Sequence, residues 1–189
     1  MENKILDAVA QLIDKYGLKK FTVDEVATTL HISKKTIYQH FSGKNEMIQA
    51  YFKANIDSDQ KATANAIQTA ENFHDKIYAL VHTSRRYRLS VEVMDEARQF
   101  YPAEWEKIKD LKQYKLNVLE KLLIQAAADG LLRSDIKFGI LATMLERVSE
   151  VFLDTEFLLN NGLKATQAID AALDIIMYGI MEEDKKIDG

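Results

Sequence analysis

The sequence has no cysteine, one proline, one tryptophan and only seven glycines among its 189 residues. Without cysteine there is no disulfide framework, no thiolate metal cluster and no thiol nucleophile. A single proline argues against β-rich or linker-rich designs. No stretch approaches the roughly 18 uninterrupted apolar residues of a membrane span. Residues 1–16 carry charge throughout, unlike the apolar core of a signal peptide. These absences predict a soluble, cytoplasmic protein with no membrane partner. Hydrophobic residues make up 47% of the chain and charged residues 29%, the composition of a compact, helix-rich protein.

The net charge of −4, taken whole, argues against a nucleic-acid binder. The charge is unevenly spread, however. Residues 1–55 hold eight lysines against six acids, and the acidic excess lies beyond them. Between residues 26 and 45, Lys34, Lys35 and Lys44 occur with His31 and His40 and with no acid at all.

Hydrophobic periodicity divides the chain into helices. Ile5, Val9, Leu12, Ile13 and Tyr16 recur at helical spacing and Gly17 follows as a left-handed cap, predicting a helix over 3–16. Thr22 and Glu25 form a capping box for a helix over 22–29, and Ser33 caps a third short helix through Gln39. A fourth begins near Lys44. Further helices are predicted at 62–87, 90–99, 102–128, 135–159 and 164–182, broken at Tyr101-Pro102, Asp129-Gly130 and Asn160-Asn161-Gly162. The charged tail from Glu182 to Lys186 is expected to fray. The fold class is all-α with about nine helices. A helix-turn-helix domain over 1–45 precedes a larger helical domain over 46–189.

A short capped helix, a tight turn and a second short helix with a polar outer face make the outline of a helix-turn-helix. Ile32, Ile37 and Phe41 are placed to pack on Val26 and Leu30. That leaves Lys34, Lys35, Tyr38 and Gln39 outward, with no acid beside them to repel phosphates.

The stretch FTVDEVATTLHISKKTIYQHFSGKNEM, residues 21–47, resembles the N-terminal pattern of the TetR family of transcriptional regulators. The matching features are Thr22, the run from Asp24 to Ala27, Ile32-Ser33, Thr36-Ile37-Tyr38, His40-Phe41 and Lys44. The rest of the chain is similar only in being helical. The resemblance implies a homodimeric repressor, less often an activator, that binds palindromic operator DNA and carries a small-molecule pocket in its C-terminal domain. It also implies that Lys34, Lys35, Tyr38 and Gln39 face bases or the adjacent backbone. Thr22, Thr36, Tyr38, His40 and Lys44 would hold phosphates. One departure is His31, where the family usually has glycine; histidine is among the residue types enriched in left-handed backbone, so the turn is expected to survive, with DNA contact by His31 as the alternative.

Other chemistry finds little support. His74 and His82 are eight residues apart, about 12 Å along a helix, too far to share one ion. No metal, cofactor or catalytic site is expected, and Glu92, Asp95 and Glu96 read as a solvated helix face. Arg85, Arg86 and Arg88 read as cations at a helix C-terminus, or as a site for an anionic ligand. Aromatic and sulfur residues also occur at Phe100, Tyr101 and Phe152. The expected ligand pocket draws on Tyr78, Met94, Trp105, Tyr114 and Met144, with His82 and Arg147 as its polar groups. In the last helix, Ala168, Ile169, Leu173, Ile175, Ile176, Met177, Tyr178 and Gly179 cover more than one stripe. With Leu141, Met144, Leu145, Val148 and Phe152 they predict a four-helix dimer interface; burial within a monomer is the alternative. A second class of function is an all-helical ligand carrier or enzyme, and a third is an architectural DNA binder without effector.

Two substitutions separate positioning from reading. Lys44→Ala is expected to weaken binding to all DNA sequences and lower the salt slope by roughly one, whereas Lys34→Ala also relaxes sequence preference. Equal losses on operator and random DNA for both variants would overturn the division.

Overall fold

The computed structural model describes residues 1–82, 86, 87, 89–151 and 155–182. Arg85, Arg88, Phe152 and the tail from Glu183 onward lie outside the described residues. Among those described there are ten α-helices: α1 (Glu2–Lys20), α2 (Val23–Leu30), α3 (Lys34–Tyr38), α4 (Lys44–Thr69), α5 (Phe73–Val81), α6 (Val91–Phe100), α7 (Pro102–Ala128), α8 (Phe138–Val151), α9 (Thr155–Asn160) and α10 (Ala165–Ile180). The all-α class is as expected, with one helix more than the pattern gave. The helix expected over 62–87 does not exist as one element. Residues 62–69 continue α4, and α5 starts afresh because the Asn72 side chain accepts from the Asp75 amide at 2.8 Å. The segment expected over 135–159 is described as α8 and α9.

The helix ends follow from local chemistry. Thr22 and Glu25 form the reciprocal capping box that opens α2, and the Ser33 hydroxyl accepts the Thr36 amide at 3.1 Å to open α3. Three helices end in one hydrogen-bond pattern. At the end of α2 the Ile32 amide donates to Ala27 and the His31 amide to Thr28; at the end of α7 Leu131 donates to Ala126 and Gly130 to Ala127; at the end of α9 Leu163 donates to Leu158 and Gly162 to Leu159. This is the Schellman motif, which needs a left-handed residue at its pivot. Two pivots are glycines, with φ of 68° and 63°, and the third is His31 at 53°. His31 therefore performs the backbone task for which the other two ends use glycine.

The chain forms two compact units. The first comprises Met1–Ala62 with Ser84–Leu111, the second Thr63–Thr83 with Lys112–Gly189. The boundary expected at residue 45 falls just inside α4, whereas the first unit runs on through Ala62 and takes in α6 and the start of α7. Its core is built from Ile5, Val9 and Ile13 of α1, Val26 of α2, Ile37 of α3, Met47, Ile48 and Phe52 of α4, and Val93 and Ala97 of α6. Ile37 is fully buried. Burial of such a side chain contributes roughly 1.5–3 kcal/mol, which holds in place a helix too short to persist alone.

In the second unit, Phe73 and Ile77 of α5, Leu123 and Ala126 of α7, Leu141 of α8, and Leu173, Met177 and Ile180 of α10 share a core. Residues 131–133 are strapped to the end of α10. The Arg133 amide donates to the Ile180 carbonyl at 3.0 Å and the Glu182 amide to the Leu131 carbonyl at 3.1 Å.

The pivot at His31 yields a stability test. His31→Gly is expected to be neutral or stabilising by up to about 1 kcal/mol, and His31→Val to destabilise by about 1–2 kcal/mol, because a β-branched residue resists left-handed backbone. Urea unfolding of the full chain measures both, and the reverse order would refute the strain account.

Candidate nucleic-acid interface

The α2–α3 pair presents the outer face that the sequence predicts. With Ile37 buried beneath it, α3 leaves Lys34, Lys35, Tyr38 and Gln39 exposed, and Thr36 and His40 half-buried at its edges. Tyr38, next to buried Ile37, is 53% exposed. Hydroxyl, amide and ammonium groups thus stand together on one polar face, a set suited to base edges and phosphates.

One expectation needs correction. The face is not free of acids, because Asp24 in the first turn of α2 places Oδ1 2.7 Å from Lys34 Nζ. This hydrogen bond raises the Lys34 pKa above its ordinary value. The two residues are ten apart on different helices, so periodicity within one helix does not reveal them. Among the described residues no acid pairs with Lys35 in this way.

The residues expected to hold phosphates are differently engaged. The Thr22 hydroxyl accepts the Glu25 amide at 3.2 Å and donates to Glu25 Oε2 at 2.9 Å, so its proton serves the capping box. His40 Nδ1 lies 3.8 Å from Glu2 Oε1. Lys44 Nζ donates to the carbonyls of Lys19 and Phe21 at 2.6 and 2.7 Å and sits 4.4 Å from the centre of the Phe21 ring. Its surroundings lower its pKa by desolvation. Two of the three ammonium protons are thereby spent on the chain, and one remains for an outside acceptor. Beside it Glu46 Oε2 accepts the Ser42 amide at 2.5 Å, which holds the Glu46 carboxyl below its ordinary pKa.

The seven residues expected to line a ligand pocket are divided between the two units. Met94 and Trp105 are half-buried in the first unit, while Tyr78, His82, Tyr114, Met144 and Arg147 belong to the second. On α5 the rings of His74, Tyr78 and His82 stack, with centroids 4.4 and 5.8 Å apart. They face acids of α10: the Tyr78 hydroxyl donates to Asp174, and His82 Nε2 lies 2.6 Å from Asp170 Oδ1. The Asp174 hydrogen bond pushes the Tyr78 pKa up to about 12. Met144 and Arg147 are exposed. A half-open cavity of about 480 Å³ lies elsewhere in this unit, lined along α7 by Gln113, Leu116, Asn117, Leu119, Glu120, Leu123 and Ile124 and on α8 by Phe138, Gly139 and Thr143. Aromatic content marks core and surface alike, so it did not single out this leucine and amide stripe.

Arg86 is likewise not a helix cap. Its guanidinium donates to Asn3 Oδ1 at 3.2 Å and to Asp7 Oδ1 at 3.3 Å. Glu96 is half-buried and accepts the Leu18 amide. Among the described residues no group of three or more His, Asp or Glu could hold a metal ion, and no helix is long and apolar enough to cross a membrane.

Residues 5–51, which run from α1 into the first part of α4, match the family model described as bacterial regulatory proteins, tetR family. The N-terminal region of the chain is thus similar to that of the TetR family. Among curated relatives, the uncharacterized HTH-type transcriptional regulator YhgD of Bacillus subtilis is 25% identical over 96 residues, covering 49% of this chain and 50% of the relative. The chain thus spans about half the length of that protein. The fatty acid metabolism regulator protein of Bacillus subtilis is 20% identical over 184 residues, 94% of each chain. Among solved structures, a putative transcriptional regulator from Saccharomonospora viridis in complex with choline has a TM-score of 0.74 at 16% identity, covering 96% of this chain and 98% of that one. SmeT, the repressor of a Stenotrophomonas maltophilia multidrug efflux pump, has a TM-score of 0.67 at 17% identity, covering 100% and 94%. At these identities the structures show a shared fold.

The ion pair on α3 makes its own prediction. Asp24→Asn is expected to raise affinity for random DNA by up to about fivefold and to steepen the salt slope by up to about one, since it removes an acid and frees Lys34. Anisotropy titrations at several salt concentrations check this, and an unchanged slope would show that Asp24 does not restrain Lys34.

Proposed function

We propose that this protein is a ligand-responsive transcriptional repressor of the cytoplasm that binds palindromic operator DNA as a homodimer and is released by a small molecule. The observation that carries the reading is the outward polar face of α3 above a buried Ile37, anchored by a capped turn. In this reading Lys34, Lys35, Tyr38 and Gln39 meet base edges or the neighbouring backbone. Thr22, Thr36, Tyr38, His40 and Lys44 approach phosphates. Two such faces related by a dyad would occupy successive major grooves about 34 Å apart.

The dimer reading draws on apolar surface in the second unit. Along α10, Leu173, Met177 and Ile180 turn into the core, leaving Ile175 and Tyr178 74% and 70% exposed, beside exposed Ala171 and Gly179. On α8, Leu141 and Leu145 face inward, which withdraws them from the expected interface stripe, while Ile140 and Met144 are exposed. Small residues beside large exposed apolar ones favour a self-complementary contact. The effector reading draws on the α7–α8 cavity, whose volume falls in the range of small-molecule sites. Coupling between effector and DNA is then worth about 1–3 kcal/mol, roughly 5- to 150-fold in affinity.

Footprinting of the purified protein on DNA flanking its own gene tests the operator reading, and a protected palindrome is expected. Ile175→Asp combined with Tyr178→Asp is expected to give a monomer in sedimentation and to weaken operator binding at least 100-fold. A variant that stays dimeric and binds as before would place the subunit contact elsewhere.

A further inference from the structure

Helix α1 is broken near its end by Gly17, whose φ of 78° and ψ of 178° lie in a region open essentially to glycine alone. The break turns the Leu18 amide away from the helix, and that amide donates instead to Glu96 Oε2 of α6 at 2.5 Å. The two positions fit each other closely. A Cβ at Gly17 would lie 2.7 and 2.9 Å from the two carboxylate oxygens of Glu96, so only glycine allows this approach. Two residues on, Lys19 Nζ sits 3.7 Å from the centre of the Phe100 ring at the end of α6. The carbonyls of Lys19 and Phe21, one and three residues beyond the capped amide, are those that hold Lys44. Glu96 also favours the charged form of Lys44 electrostatically. Leu18 is fully buried, so its amide has no water to turn to when the carboxylate leaves.

We infer that Glu96 is a positioning residue for the DNA-binding face: by capping the kink of α1 it fixes the 18–21 segment, whose carbonyls aim Lys44 and whose end sets the entry into α2. Any displacement of α6 from α1 then disarranges Lys44 and the start of α2 together, without a change in α3 itself. The inference rests on the DNA-binding reading above. It assigns α6 a route to the interface through α1.

The test uses the full chain, DNA flanking its own gene as probe, and amide hydrogen exchange. Glu96→Ala is expected to weaken binding at least tenfold at every salt concentration with an unchanged salt slope, since no phosphate contact is lost, and to speed exchange of the Leu18 amide at least tenfold. Glu96→Gln keeps an acceptor oxygen and is expected to bind within threefold of the wild type. Gly130→Ala, which strains a helix end in the other unit, controls for lost stability and is expected to bind within threefold. Binding by Glu96→Ala equal to wild type, a loss matched by Gly130→Ala, or unchanged Leu18 exchange would each overturn the assignment. Wild-type protein that binds no DNA overturns the DNA-binding reading, and this inference with it. Undiminished binding by Glu96→Ala overturns this inference alone.

Discussion

A five-residue helix cannot hold itself together in water, and the outer polar face of α3 depends on that constraint. The first turn of α3 is fixed by Ser33, its underside by Ile37, and its approach by the Schellman turn at His31. Each device acts on backbone or on an apolar side chain, which leaves the outer face of α3 to its polar side chains, of which Lys34 is held by Asp24. Stability and recognition are thereby assigned to opposite faces of one short element. The same division recurs in α10, whose inner stripe belongs to the core while Ile175 and Tyr178 remain outside.

Local chemistry was legible in the sequence. The Thr22–Glu25 box, the Ser33 cap, and the breaks at Asp129-Gly130 and Asn160-Asn161-Gly162 all depend on residues within a few positions of one another, and each stands where the pattern put it. The reading failed where a polar residue had to be taken either as helix interior or as a new start. Asn72 caps α5, yet an unbroken apolar period across it made residues 62–87 look continuous.

Long-range pairings were not legible, for a physical reason. Asp24 meets Lys34 across two helices, Lys44 reaches back to Lys19 and Phe21, and Glu96 meets an amide 78 positions away. Periodicity assigns a residue to a face but not to the atom that face will meet, so Glu96 read as one more solvated acid. The pocket expectation meets a related limit. Tyr78 and His82 sit on a helix that looks suited to a cavity, but their polar atoms are spent on Asp174 and Asp170. The cavity itself is lined largely by leucines and amides of α7.

The acid beside Lys34 bears on time as well as on affinity. A protein searching for one site among many wrong ones spends most of its effort leaving the wrong ones, and its hold there is set by phosphate contacts. In the proposed DNA-binding role, Asp24 leaves each chance encounter with one cation fewer to grip with, and the encounter is briefer for it. On that proposed role, a module that occupies one of its lysines in advance lets go quickly, and so samples more of the genome between successes.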